Sequence, residues 1–228
     1  MIVDRAEKML NKCMKSTDDA VRDIRSGSTI LVSGFGDPGT PFGLLDALCR
    51  HSACDLSIVA NNGGVGDRGI AALLLTGRVK KLICSYPRTV GSTVIQSLYR
   101  AGKIEVEVIP QGTLSERIRA AAAGLGGVLT PTGVGTKVAE GKEIVEVAGK
   151  PYLFELPLHA DFALIKGKRG DRWGNLTFNC AARNYAPGMA GAARVTVAEV
   201  EELVPLGGLD PECIVTPGIF VDRVVVPA

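Results

Sequence analysis

The chain has 228 residues, 46% hydrophobic and only 5% aromatic, with 28 glycines and 26 basic against 24 acidic side chains. That is apolar material for a sizeable α/β core without disulfides, and the near-even charge with no long basic run speaks against nucleic-acid binding. No apolar run approaches the ~20 residues that cross a bilayer, and Met1–Leu10, with Asp4, Arg5, Glu7 and Lys8, does not read as a signal peptide, so the expectation is a cytoplasmic protein with no membrane and no nucleic-acid partner.

In chain order, Thr29–Val32, Asp55–Ala60, Val79–Cys84 and Ile104–Ile109 read as strands. Phe42–Cys49, Thr93–Arg100 and Leu114–Ala123 between and after them read as helices. Thr113 with Glu116 three residues later is a capping-box pattern for the last helix. This alternation implies an open, mainly parallel sheet with helices on both faces. After Gly126 the pattern becomes β-rich. Glu143–Val147 and Tyr152–Leu156 form a hairpin pattern around Ala148–Lys150. Phe162–Ile165 is a buried-looking strand followed by turn-rich Gly167–Asp171, and Val195–Val200 and Val221–Val226 are further strands. No linker divides the chain, so residues 1–228 read as one domain.

The first strand runs into Gly34-Phe35-Gly36-Asp37-Pro38-Gly39, which fits the G-x-G-x-x-G dinucleotide fingerprint. The fingerprint also needs an acidic residue at the carboxyl end of the second strand. Asp55 has the right count but begins that strand, at the wrong edge. The loop still offers backbone N–H groups at the mouth of a helix, where anions bind; a tight turn with no ligand is the other reading.

In a parallel sheet, ligands gather outside the carboxyl ends of the strands. Here those ends give the glycine loop, Asn61–Gly66, Ser85–Arg88 and Pro110–Thr113. The set is rich in amides and poor in general acids or bases. It suits holding a carboxylate or polarising a carbonyl, for which an amide such as Gln111 is a good oxyanion donor; local turn capping is the alternative for each. Ser33 and Ser85 have no histidine near in sequence and no G-x-S-x-G setting. His51 reads as a surface or capping residue at a helix end, and His159 as structural rather than catalytic. The six cysteines (Cys13, Cys49, Cys54, Cys84, Cys180, Cys213) show no CxxC pair, which points to reduced side chains and no metal.

At these same loops the chain resembles the α subunits of family I CoA-transferases. The matching stretches are Gly34–Pro41, Asn61–Gly64, Pro110–Arg119, Leu129–Thr136, Gly170–Thr177 and Ile214–Gly218. Within the family, Tyr99–Glu105, Pro157–Ala163 and Gly218–Val221 are most similar to the members that act on 3-oxoadipate, and acetate or acetoacetate-type relatives share most motifs. The resemblance implies a two-subunit enzyme, α2β2, that moves CoA from succinyl-CoA to a 3-oxo acid. Its nucleophilic glutamate lies in a Ser-Glu-Asn-Gly stretch on the β chain; no glutamate here precedes Asn. It further implies oxyanion stabilisation by Gln111 and substrate binding by Asn61, Asn62 and Gly63. It also implies CoA binding by Ser33, Gly34, Phe35, Gly36, Asp37, Pro38 and Gly39, although such a loop can hold the acyl group instead. No cofactor is implied beyond the CoA thioester substrate. Two readings of other classes remain: a CoA-binding regulatory homologue, and a sugar-phosphate isomerase or deaminase using Asp37 or Asp67.

Overall fold

A computed structural model describes residues 11–89 and 91–227; the expectation about Met1–Leu10 lies outside them. Strands β1 (Thr29–Val32), β2 (Leu56–Asn62), β3 (Val79–Tyr86) and β4 (Glu105–Val108) lie side by side. Between and around them run α1 (Thr17–Val21), α2 (Phe42–Arg50), α3 (Ile70–Leu75), α4 (Val94–Arg100) and α5 (Gln111–Ala122). The second half contributes β5 (Val128–Thr130), β6 (Ile144–Val147), β7 (Lys150–Glu155), β8 (Ala160–Asp171), β9 (Leu176–Thr177), α6 (Ala186–Ala192), β10 (Ala193–Val204) and β11 (Arg223–Val225).

The main sheet has the order β11-β10-β8-β1-β2-β3-β4. All these neighbours are parallel, and only short β9 is antiparallel, on β8. The β-rich second half therefore shares the sheet of the first, with β8 directly beside β1. Side chains alternate across the sheet. Ile30, Val32, Ile58, Leu82 and Leu164 join the core under α1 to α4. Leu31, Val59, Ala163, Ile165 and Ala198 face the core built with α5 and α6. Helices thus cover both faces. A separate antiparallel sheet, β5-β7-β6, stands apart from this stack. Its hairpin turns at Ala148 and Gly149, both with positive φ (51° and 73°) as a two-residue primed turn demands.

Several boundaries differ from the sequence reading. Helix α5 begins at Gln111, with Pro110 as its N-cap. Thr113 is therefore not a cap. Its buried hydroxyl has no partner, and Glu116 pairs instead with Arg119 at 2.6 Å. The proposed turn Gly167–Asp171 is strand: β8 continues through it, paired with Val200–Val204 of β10. Glycine suits this strand because a Cβ at Gly170 would lie 3.0 Å from Val200 Cγ1. Helix α3 had no counterpart in the sequence reading. Asp55 precedes β2 at φ 55°, at the amino end of the sheet, which agrees with setting the dinucleotide fingerprint aside. His51 is the C-cap of α2 as expected, its backbone N–H donating to the Ala47 and Leu48 carbonyls, while its Nδ1 accepts the Ala53 N–H at 3.1 Å. His159, read as structural, is exposed at the amino end of the sheet, beside an open cavity lined by Asp161 and Arg194.

Candidate active site

Strand β2 is buried nearly to its end, with Asn61 3% and Asn62 5% exposed. A buried amide needs partners, and Asn61 finds them on three other segments. Its Oδ1 accepts from Gln111 Nε2 at 2.8 Å, Ser85 Oγ at 2.7 Å and Tyr185 Oη at 3.2 Å. Gln111 is the first residue of α5, Ser85 lies in β3, and Tyr185 precedes α6. The single Ser85 hydroxyl hydrogen is shared with the Asn61 carbonyl, 3.0 Å away. With three donors on Oδ1, the Asn61 Nδ2 group must face the other way. Gln111 Nε2 has a second hydrogen beyond the one given to Asn61. Burial pushes the Tyr185 phenol up from 10.0, opposed by its hydrogen bond with Ser85, so this ring stays a neutral donor at physiological pH.

Asn62 works differently. Its Oδ1 accepts from Gly64 N–H at 2.9 Å, a turn that closes the strand end. Gly63 is required by space: a Cβ there would sit 2.5 Å from Ile95 Cγ1. Asn61 reaches the site with its amide, whereas Asn62 and Gly63 shape the wall beside it.

The glycine loop follows β1. Ser33 is completely buried; its hydroxyl donates to the Gly39 carbonyl at 2.6 Å and accepts Lys166 N–H at 3.1 Å. Its side chain is thus an internal strut of the loop. Gly34 N–H donates to Asn184 Oδ1 at 3.0 Å, and Asn184 Nδ2 donates to the Pro38 carbonyl at 3.0 Å. Gly39 has φ +78°, and a Cβ there would collide with the Ala182 carbonyl. Phe35 is 53% exposed, so an apolar ring stands at the loop tip next to Gly36. Asp37 is paired with Arg68, whose guanidinium also lies 4.7 Å from the Phe42 ring centroid. The Asp37 charge at this loop is therefore offset by a neighbouring cation.

The structure brings Asn61 and Gln111 into direct contact and sets the glycine loop at the end of the neighbouring strand β1. Sequence reasoning missed Tyr185, Asn184 and Arg68, and it saw Ser85 only as a failed nucleophile. No local signal marks Tyr185 or Asn184, which lie more than a hundred positions from their partners. The cluster itself holds neutral donors only. The buried glutamates are engaged elsewhere: Glu155 with Lys142 at 2.5 Å, and Glu199 with the Leu44 N–H at 3.0 Å. Such an arrangement can stabilise charge on a carbonyl or carboxylate oxygen, but it offers no carboxylate nucleophile of its own.

Residues 14–227 match the coenzyme A transferase family. The chain is 57% identical over 217 residues to one of the subunits of 3-oxoadipate CoA-transferase from Pseudomonas putida, covering 95% of this chain and 94% of that protein. It is 54% identical to the protein of the same name from Acinetobacter baylyi, covering 95% of each. Among solved structures, an acyl-CoA transferase of Escherichia coli O157:H7 in thioester complex with CoA superposes with a TM-score of 0.82 at 27% identity. That match covers 95% of this chain and 47% of the other, so this chain spans about half of that enzyme. Glutaconate coenzyme A-transferase from Acidaminococcus fermentans shares the fold, with a TM-score of 0.83 at 21% identity over 94% of this chain and 75% of that one.

Proposed function

The chain belongs to the coenzyme A transferase family, and from that premise we propose that it is the α subunit of a heteromeric enzyme moving CoA from succinyl-CoA to 3-oxoadipate. The observation that carries this reading is the 57% identity across nearly the whole chain to a protein named for one subunit of a 3-oxoadipate CoA-transferase. The site is consistent with it, because it supplies oxyanion donors and lacks a nucleophile.

In this reading the partner subunit contributes a glutamate carboxylate. The carboxylate attacks the thioester carbonyl, and the CoA thiolate leaves with the bonding electrons, giving a mixed anhydride. The thiolate then attacks the glutamyl carbonyl and releases succinate, leaving a glutamyl-CoA thioester. The acceptor carboxylate reverses these steps and departs as 3-oxoadipyl-CoA. Splitting the transfer through a covalent enzyme intermediate lowers each barrier. The free hydrogen of Gln111 Nε2 and the Nδ2 group of Asn61 serve the oxygen on which negative charge grows. Both are held by bonds already made, so little reorganisation is needed. The glycine loop with Phe35 at its tip flanks the thioester. An α2β2 assembly is the stoichiometry expected for this reading.

The test is CoA transfer from succinyl-CoA to 3-oxoadipate by this chain alone and after mixing with its β partner. Transfer in the mixture only, faster with 3-oxoadipate than with acetoacetate, is the expected result. Transfer by the isolated chain would overturn the split site, and preference for acetoacetate would overturn the substrate.

A further inference from the structure

Succinyl-CoA carries a free carboxylate at the end of a short carbon chain away from its thioester, 3-oxoadipate carries one away from its reacting carboxylate, and the Asn61–Gln111 cluster has no cation to receive it. Of the cations near the carboxyl ends of the central strands, Arg68 and Lys166 are engaged, whereas Lys168, Arg183 and Arg88 pair with no carboxylate among the described residues. Arg68 is bound to Asp37. Lys166 lies between Glu199 at 3.8 Å and Glu201 at 3.7 Å. Arg88 is exposed and pairs with no carboxylate among the described residues.

Arg88 follows Ser85, the residue bonded to Asn61, by three positions, which is at most roughly 10–11 Å of extended chain. It lines a cavity of about 430 Å³ together with Tyr86, Thr89, Ser92, Thr93 and Gln96. This wall is tied to the amide cluster from two sides. Tyr86 is the last residue of β3, next to Ser85. The Thr89 hydroxyl donates to the Gly64 carbonyl, at the turn that Asn62 closes. The lining is thus a planar cation amid neutral hydroxyl and amide donors, with no carboxylate in it. A guanidinium presents paired N–H groups that match a carboxylate.

We infer that this cavity receives the far carboxylate of a dicarboxylic acyl group, with Arg88 as its counter-ion, and so selects dicarboxylic over monocarboxylic 3-oxo acids. The inference rests on the coenzyme A transfer proposed above and names the substrate class of that same site.

The experiment uses the enzyme assembled with its β partner and succinyl-CoA as donor throughout. The acceptors are 3-oxoadipate and 3-oxohexanoate, which share chain length and differ in the far carboxylate. In Arg88→Gln, the kcat/KM ratio of 3-oxoadipate to 3-oxohexanoate should fall about 10- to 100-fold, as for one charge-assisted hydrogen-bonded pair. Arg88→Lys should recover part of that ratio, because charge is retained and the planar fork is lost. An unchanged ratio, or equal losses with both acceptors, would overturn the assignment of Arg88 while leaving the transfer reaction intact. No transfer by the wild-type assembly to either acceptor would overturn both.

Discussion

Asn61 fixes the site because three donors from three segments meet on one oxygen. Loss of any one donor has a distinct consequence. Gln111→Ala removes the oxyanion donor of the proposed mechanism, and kcat should fall about 10²–10³-fold, or about 2.7–4 kcal/mol, as for other oxyanion donors. Partner binding, followed by co-elution, should persist; unchanged turnover would remove Gln111 from the mechanism. Tyr185→Phe deletes only a supporting bond, so it should lower stability by about 1 kcal/mol in urea unfolding. Its effect on kcat should be much smaller than that of Gln111→Ala, and an equal loss would mean that Tyr185 itself touches substrate. At Gly63, a methyl group would press on Ile95, so Gly63→Ala should destabilise by about 1–3 kcal/mol, the usual range for overpacking. Asn61 and Gln111 were legible in the sequence because each sits at or just beyond the carboxyl end of a strand of a parallel sheet, where position predicts convergence. Tyr185 and Asn184 were not, since nothing local distinguishes a tyrosine that supports an amide from one that lies in a core.

Glu199 shows how elements are tied to one another. Helix α2 starts after Pro41, which provides no side-chain cap, and the buried Glu199 carboxylate on β10 accepts the Leu44 N–H in its place. Burial pushes the Glu199 carboxyl above its ordinary 4.5, against the opposing N–H groups of Leu44 and Gly43 and the charge of Lys166. The native state therefore keeps this proton to a higher pH than the unfolded chain does. Its contribution is full below about 4.5 and is lost as pH rises through the raised native value. Glu199→Gln keeps a carbonyl acceptor and has no proton to lose. Its unfolding free energy relative to wild type should therefore rise as pH increases from about 4.5 through the raised native value; a pH-independent difference in urea melts would contradict this. In the small sheet, Ala148 occupies a left-handed position, which costs an L-residue roughly 1–2 kcal/mol. Ala148→Gly should recover about 1 kcal/mol of that strain, net of the flexibility glycine adds to the unfolded chain. At this scale the sequence was readable where a short apolar run marks a buried strand, as in β1 and β2. It misled at Gly167–Asp171, where turn-type residues sit in a strand because Val200 and Leu176 leave no room for side chains at Gly170. It also misled at Thr113, because the helix starts two residues earlier, directly after Pro110.

At the scale of the whole molecule, the sheet turns back on itself between β1 and β8. That is where an open α/β sheet opens a crevice at its carboxyl edge; the glycine loop lies there, and the amide cluster lies beside it at the ends of β2 and β3. Neutral donors and bound ion pairs lie at this edge. Among the described residues, no helix is long and apolar enough to cross a membrane. The alternation of strands and helices announced the parallel sheet, whereas the return of β8 to a place beside β1 follows from long-range pairing that no local pattern encodes. The division of labour across two chains is the central claim, and intact-mass spectrometry tests it most directly. The assembled enzyme would be treated with succinyl-CoA in the absence of any acceptor. The account predicts one CoA thioester on the partner chain and none on this one; a CoA adduct on this chain would contradict it.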